Sequence, residues 1–161
     1  MNLTKHQPTV VHSTFAIERE YGVPPERVFA AFSDPAIKRR WYAESGSHTI
    51  DQFEMDFRVG GVERFRYRFN PGTPIAGKVL SNEGAFHDIV PNRRIVFAST
   101  MSLEDQRIST SLVTFEILSH GSGSTLVLTH QGAFFEGSDG PERRQGGWQD
   151  VIKRLDAELA R

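Results

Sequence analysis

The chain contains no cysteine. Disulfides, thiolate nucleophiles and Cys-based metal sites are therefore excluded. It also has no apolar run approaching the ~20 residues that a membrane-spanning helix needs. Its first residues, MNLTKHQPTVVHS, lack the apolar core of a signal peptide. Net charge is nearly absent: 19 Lys and Arg against 20 Asp and Glu leave −1 at pH 7. No basic field favours nucleic acid or anionic lipid. The G-x-x-x-x-G-K phosphate loop is missing, and Gly60-Gly61 reads as a hairpin turn because no helix follows it. No serine lies in a G-x-S-x-G turn. The six histidines form no H-x-x-x-H pair on a helix and no H-x-H with carboxylate support, which argues against a metal site. These absences lead to the expectation of a soluble cytoplasmic protein without metal or cofactor. It would have a loose tail over residues 1–12 and a single domain over residues 13–161.

Rings and alternation are what the chain does have. Twelve Phe residues in 161 predict a core or cavity rich in aromatic side chains. Ser13 to Tyr21 alternates, with Phe15 and Ile17 on one side, as a half-buried strand does. Val23-Pro24-Pro25-Glu26 stops it, and Pro25 suits the first turn of a short helix. Asp34 is the expected N-cap of a second short helix, with Pro35 next to it, ending near Trp41-Tyr42. About six strands follow. They are His48 to Phe57, Val62 to Phe69, Ile75 to Ile89 with a bulge near Gly84, Arg94 to Met101, Ile108 to Leu118, and Thr125 to Gln131. Gly132 to Gly140 reads as a loop carrying two exposed rings, Phe134 and Phe135. The last stretch, Gly140 to Arg161, places Trp148, Val151, Ile152, Leu155 and Leu159 on one face of a helix, with Asp150, Lys153, Arg154, Asp156 and Glu158 on the other. A long amphipathic helix beside one sheet buries its stripe against that sheet.

The pieces VPPERVFAAFSDPAIKRRWY, FEMDFRVGG, HDIVPNRRIVF, STLVLTHQGAF and GGWQDVIKRL occur in order between Val23 and Leu155. Together they resemble the helix-grip superfamily of START-like and polyketide-cyclase-like domains. Within it they are most similar to the bacterial family related to activators of the heat-shock protein 90 ATPase. The resemblance implies an α+β fold in which a curved antiparallel sheet of about seven strands wraps around a long C-terminal helix, with two short helices after strand one. It further implies a cavity between sheet and helix, often holding an apolar or aromatic small molecule, and dimers as a common assembly.

Period-two alternation puts Glu63 on the face of Phe65 and Tyr67. If those rings face the cavity, so does its carboxylate, where many relatives carry a ring. Glu63 then needs a partner or a task. Otherwise it sits solvated, or paired with an arginine, at the strand's open end. Leu126, Leu128 and His130 share one side of their strand. His130 could orient a ligand, act as acid or base, or pair with Glu63; the plainer expectation is a core histidine satisfied by one hydrogen bond. Ser109 and Ser111 could offer hydroxyls at the cavity mouth, but they read first as ordinary residues of an exposed strand face. Trp41, Tyr42, Phe134, Phe135 and Trp148 would gather round the cavity entrance in such a fold. Lys38, Arg39 and Arg40 read as a solvated helix face.

The leading expectation is a ligand-binding domain whose cavity is lined by Phe65, Tyr67, Phe97, Phe115, Leu128 and Trp148, with Tyr42 and Phe134 near the entrance and Glu63 and His130 as polar anchors. The alternatives are a cyclase- or hydrolase-type enzyme using Glu63 with His130, and a co-chaperone.

Overall fold

The period-two segments form strands, and short turns fold each back on the one before it. The structure is a computed structural model that describes residues 8–161. The elements, in order, are β1 (Val11–Tyr21), α1 (Pro25–Ser33), α2 (Pro35–Lys38), a π turn (Arg39–Ala43), β2 (His48–Met55), β3 (Val62–Phe69), β4 (Val79–Val90), β5 (Arg94–Leu103), β6 (Gln106–His120), β7 (Gly123–Phe134) and α3 (Pro141–Leu159). The strands make one seven-stranded antiparallel sheet in the order β1-β7-β6-β5-β4-β3-β2. The sheet curves around α3, which gives the α+β helix-grip architecture. Most of the expected tail lies outside the described residues, and its last two residues, Val11 and His12, already open β1.

Several boundaries differ from the sequence reading, each for a local reason. Ile75 belongs to the turns between β3 and β4, closed by Thr73 N–H to Asn70 O and Gly77 N–H to Phe69 O, so β4 begins only at Val79. The bulge in β4 falls between Phe86 and Asp88 rather than at Gly84. Gly84 meets a different demand: a Cβ there would lie 2.2 Å from the Ala98 carbonyl oxygen. β7 continues to Phe134, whose ring is buried rather than exposed on a loop, because β1 and β6 pair with β7 up to that residue.

Asp34 caps α2 by accepting from Ala36 N–H, as its position before Pro35 suggests. The π turn that follows is closed by Glu44 N–H to Arg39 O at 2.9 Å. Beneath it Trp41 is buried, and its indole N–H donates to Ala31 O at 2.8 Å.

The helix stripe packs as its spacing demands, but only in its second half. Ile152 and Leu155 are wholly buried and Leu159 nearly so, against Phe15, Ile17, Phe115 and Leu128 of the core. The polar face is less solvated than expected. Asp156 accepts from the Tyr21 hydroxyl at 2.8 Å, and Glu158, itself buried, holds Arg40 at 2.5 Å. These contacts pin the end of α3 to β1 and to the π turn. Leu155→Ala is expected to cost about 2–5 kcal/mol of unfolding free energy, whereas Leu118→Ala on the exposed sheet face stays within about 0.5 kcal/mol. Urea denaturation of both variants measures the contrast.

Candidate functional site

Ahead of Ile152 the helix stands away from the sheet. Trp148 and Val151 are only half-buried, and a Cβ on Gly146 or Gly147 would meet nothing within 4 Å. Between this half of α3 and the concave sheet face lies a cavity of about 530 Å³, open to solvent on one side. Tyr42, Phe65, Tyr67 and Trp148 supply its rings, and Leu80, Met101, Leu103, Ile108, Val113 and Val151 its aliphatic wall. The rings support one another. His48 stacks on Tyr67 with centroids 4.0 Å apart, and Phe65 lies against Tyr42 at 5.4 Å. His48 is fixed by a 2.6 Å hydrogen bond between Nε2 and Ala43 O, and burial lowers its pKa.

Behind the cavity is a small enclosed recess of about 20 Å³, space for about one water molecule. Tyr42, Asn82, Ser99, Val113 and Trp148 line both spaces and form the partition between them. The recess contains Lys38 and Glu63, whose Nζ and Oε1 are 2.5 Å apart. Both side chains are almost completely buried. The ammonium also lies 4.8 Å from the centre of the Tyr42 ring, with Phe86 and Phe97 at 5.6 and 5.9 Å. Burial and then the Glu63 charge push the Tyr42 hydroxyl pKa well up, opposed by a hydrogen bond from Asn82, so it is a neutral phenol.

At the other end of the cavity Arg144 is buried on α3. Its Nε and Nη2 donate to Asp139 at 2.9 and 2.8 Å, and Nη2 also donates to Ser109 Oγ at 2.9 Å. Burial disfavours the Asp139 carboxylate, yet the Arg144 hydrogen bond and charge hold its pKa below the usual range. His130 is 1% exposed, stacked on Phe15 with centroids 4.6 Å apart, and its Nδ1 has no hydrogen-bond partner among the described residues. Burial, reinforced by the Arg144 charge, lowers its pKa to about 4, so the imidazole is neutral at neutral pH. Gly132 makes room for this ring: a Cβ there would lie 2.9 Å from His130 and 2.8 Å from Phe134.

The family model described as Activator of Hsp90 ATPase homolog 1-like protein matches residues 22–160. The chain belongs to this family. Among solved structures, the Mll3558 protein from Rhizobium loti is 42% identical, with 94% of this chain and 99% of that one covered and a TM-score of 0.83. A protein from Rhizobium leguminosarum is 34% identical, over 94% and 96% of the two chains, with a TM-score of 0.84. A family protein from Silicibacter pomeroyi is 25% identical, over 92% and 98%, with a TM-score of 0.72. A search of curated proteins finds no match.

In this member of the Hsp90 ATPase activator-like family, the residues singled out from the sequence divide between the two spaces. Phe65, Tyr67 and His130 line the cavity, Glu63, Phe97 and Phe115 line the recess, and Tyr42 and Trp148 line both. Leu128 and Phe134 line neither. Leu128 is wholly buried in the core, and Phe134 is covered by the Arg144 guanidinium 5.1 Å above its ring. Glu63 and His130 do not form an acid–base pair. Their strands are four places apart in the sheet, roughly 19 Å measured along it, and Glu63 is bonded to Lys38 instead. His130 Nδ1 has no hydrogen-bond partner among the described residues.

The sequence reading placed Lys38 on a solvated face, and Ser109 and Ser111 on an exposed one; all three are buried. It passed over Arg144, Asp139 and Asn82, and it placed Arg154 on the polar face of the helix, whereas this residue is half-buried and lines the cavity. Arg144 had a signal: it stands one helical turn before Trp148 and continues the buried stripe.

Removing one partner of a buried ion pair strands the other charge. Lys38→Met is therefore expected to cost about 3–5 kcal/mol, and the double variant Lys38→Met/Glu63→Leu to recover most of that loss. A single variant within about 1 kcal/mol of wild type in urea titrations would contradict a dry, mutually dependent pair. His130 gives a pH signature. Its folded pKa of about 4 lies below the unfolded value, so the unfolded chain takes up the proton first as pH falls. Its contribution is complete above about pH 6.5, declines toward pH 4 and then levels, on the order of 3 kcal/mol in all. Unfolding of wild type and His130→Gln between pH 7.5 and 4 should diverge over that window; parallel curves would refute it.

Proposed function

We propose that this protein binds an apolar or aromatic small molecule in the cavity between α3 and the sheet. The observation that carries the reading is the cavity's composition: about 530 Å³, walled by rings and aliphatic side chains, with a few fixed polar groups. Small-molecule sites have this size and character. Tyr42, Tyr67 and Trp148 offer flat apolar surface to a planar ligand. Membership of the Hsp90 ATPase activator-like family fixes the fold, and fold alone does not assign a role. The walls favour a small-molecule role over a chaperone contact, because they present rings to an internal space. Glu63 is held by Lys38 in the recess and is not free to act as a base.

The uncharged dye N-phenyl-1-naphthylamine, which fluoresces in apolar surroundings, is expected to bind saturably with one site per chain. It should raise the melting temperature with its concentration. Ser111→Phe directs a ring from β6 into the same space and is expected to weaken the dye at least about tenfold while the chain stays folded. Absence of saturable binding to a folded wild type would remove this reading.

A further inference from the structure

We infer that the molecule bound in the cavity carries an anionic oxygen group, a carboxylate in the simplest case, seated against Arg154, the free edge of Arg144 and the Tyr67 hydroxyl. This inference rests on the cavity being a binding site. The ionisable lining is unbalanced: Arg143, Arg144 and Arg154 face it with Asp139 as the acidic counterpart. Asp139 is committed to Arg144 at 2.8 Å. Arg154 is half-buried and spends Nε on the Trp41 carbonyl at 2.9 Å. Among the described residues no carboxylate comes within ion-pair distance of it. Burial disfavours its charged form, opposed by Asp150 and Tyr67. A guanidinium stays charged nonetheless, and Arg154 lines the cavity with Asp150 acting on it only from beyond ion-pair distance.

Arg144 supplies the second half of the site. Asp139 and Ser109 occupy Nε and Nη2 and fix the plane of the guanidinium, leaving the two Nη1 N–H groups without an acceptor among the described residues. Nη1, held in that plane, can donate a charge-assisted hydrogen bond to one carboxylate oxygen. The Tyr67 hydroxyl lies within the fields of both arginines, and burial pushes its pKa up to about 12, so it remains a donor. His130, buried and unpartnered at Nδ1, lines the same space. A neutral ligand would exclude water from Arg154 and return no charge, which is costly. A cationic one would be repelled. The aliphatic wall of Leu80, Met101, Ile108 and Val151 receives the rest of the molecule, so the class is an aromatic or aliphatic carboxylic acid.

Matched pairs separate this inference from the one beneath it. The probes are 2-naphthoate against 2-naphthamide and octanoate against octanamide, each displacing N-phenyl-1-naphthylamine. The acids are expected to displace the dye at concentrations about tenfold lower than their amides. In Arg154→Gln that advantage should shrink to less than about threefold while the amides are unchanged, and Arg154→Lys should restore part of it. Tyr67→Phe, which keeps the ring packing, should also reduce it. Equal displacement by acid and amide, or displacement by neither, overturns the anionic assignment and leaves the cavity reading standing. An acid advantage undiminished in both Arg154→Gln and Tyr67→Phe overturns the placement of the group. Failure of the uncharged dye to bind wild type removes both readings.

Discussion

The structure depends on where α3 can bury its apolar stripe. Ile152, Leu155 and Leu159 seal the second half of the helix into the core. The first half carries Gly146 and Gly147, which have nothing to pack, and Arg144, which cannot be buried without partners. The helix therefore closes one end of the curved sheet and leaves the other open. Collapse of the open end is resisted by polar bonds that act as props. Arg154 holds the Trp41 carbonyl, and the Arg144 network ties the helix start to Ser109 of β6. Such bonds contribute modestly each; they tie α3 to the π turn and to β6 on either side of the cavity.

The two groups of buried charge differ in compensation, and this decides which of them can meet a ligand. Lys38 and Glu63 neutralise each other at 2.5 Å inside a recess with space for little more than a water. Seen from the outer cavity the pair is a dipole, and its field falls faster with distance than that of a single charge. Arg154 is a single charge with low-dielectric walls on one side, where Coulomb interactions are several-fold stronger than in water. The recess pair thus cancels its own charge, and the outer arginines set the potential that an incoming molecule meets.

Period-two alternation was enough to read the inward faces of β1, β3 and β7 from the sequence, because a half-buried strand leaves Phe65 inward and Arg64 and Arg66 outward. The α3 stripe was legible for the same reason. Lys38 was not. It sits in a run of three basic residues, a pattern that normally marks a solvated face, and its partner Glu63 is 25 residues away on another element. Local pattern carries no information about such a pairing. Ser109 and Ser111 were misread because small hydroxyl residues suit both faces of a strand, and only the Arg144 donor explains the burial of Ser109. Phe134 depended on how far β7 runs, and strand ends are set by partners, here β1 and β6, more than by the strand's own residues.

His130 shows how these constraints meet in one side chain. Burial is the larger cause of its lowered pKa and the Arg144 charge the smaller. An anion seated on Arg144 would cancel the smaller cause and leave the larger one in place. The ring would nonetheless stay neutral at neutral pH, because it is held between the Phe15 and Phe134 rings and a molecule in the space it lines only adds to its desolvation. A neutral imidazole can offer a bound acid one donor or one acceptor according to its tautomer. It cannot supply the counter-charge. That task falls to the guanidinium groups, whose charge persists in surroundings that would neutralise a histidine.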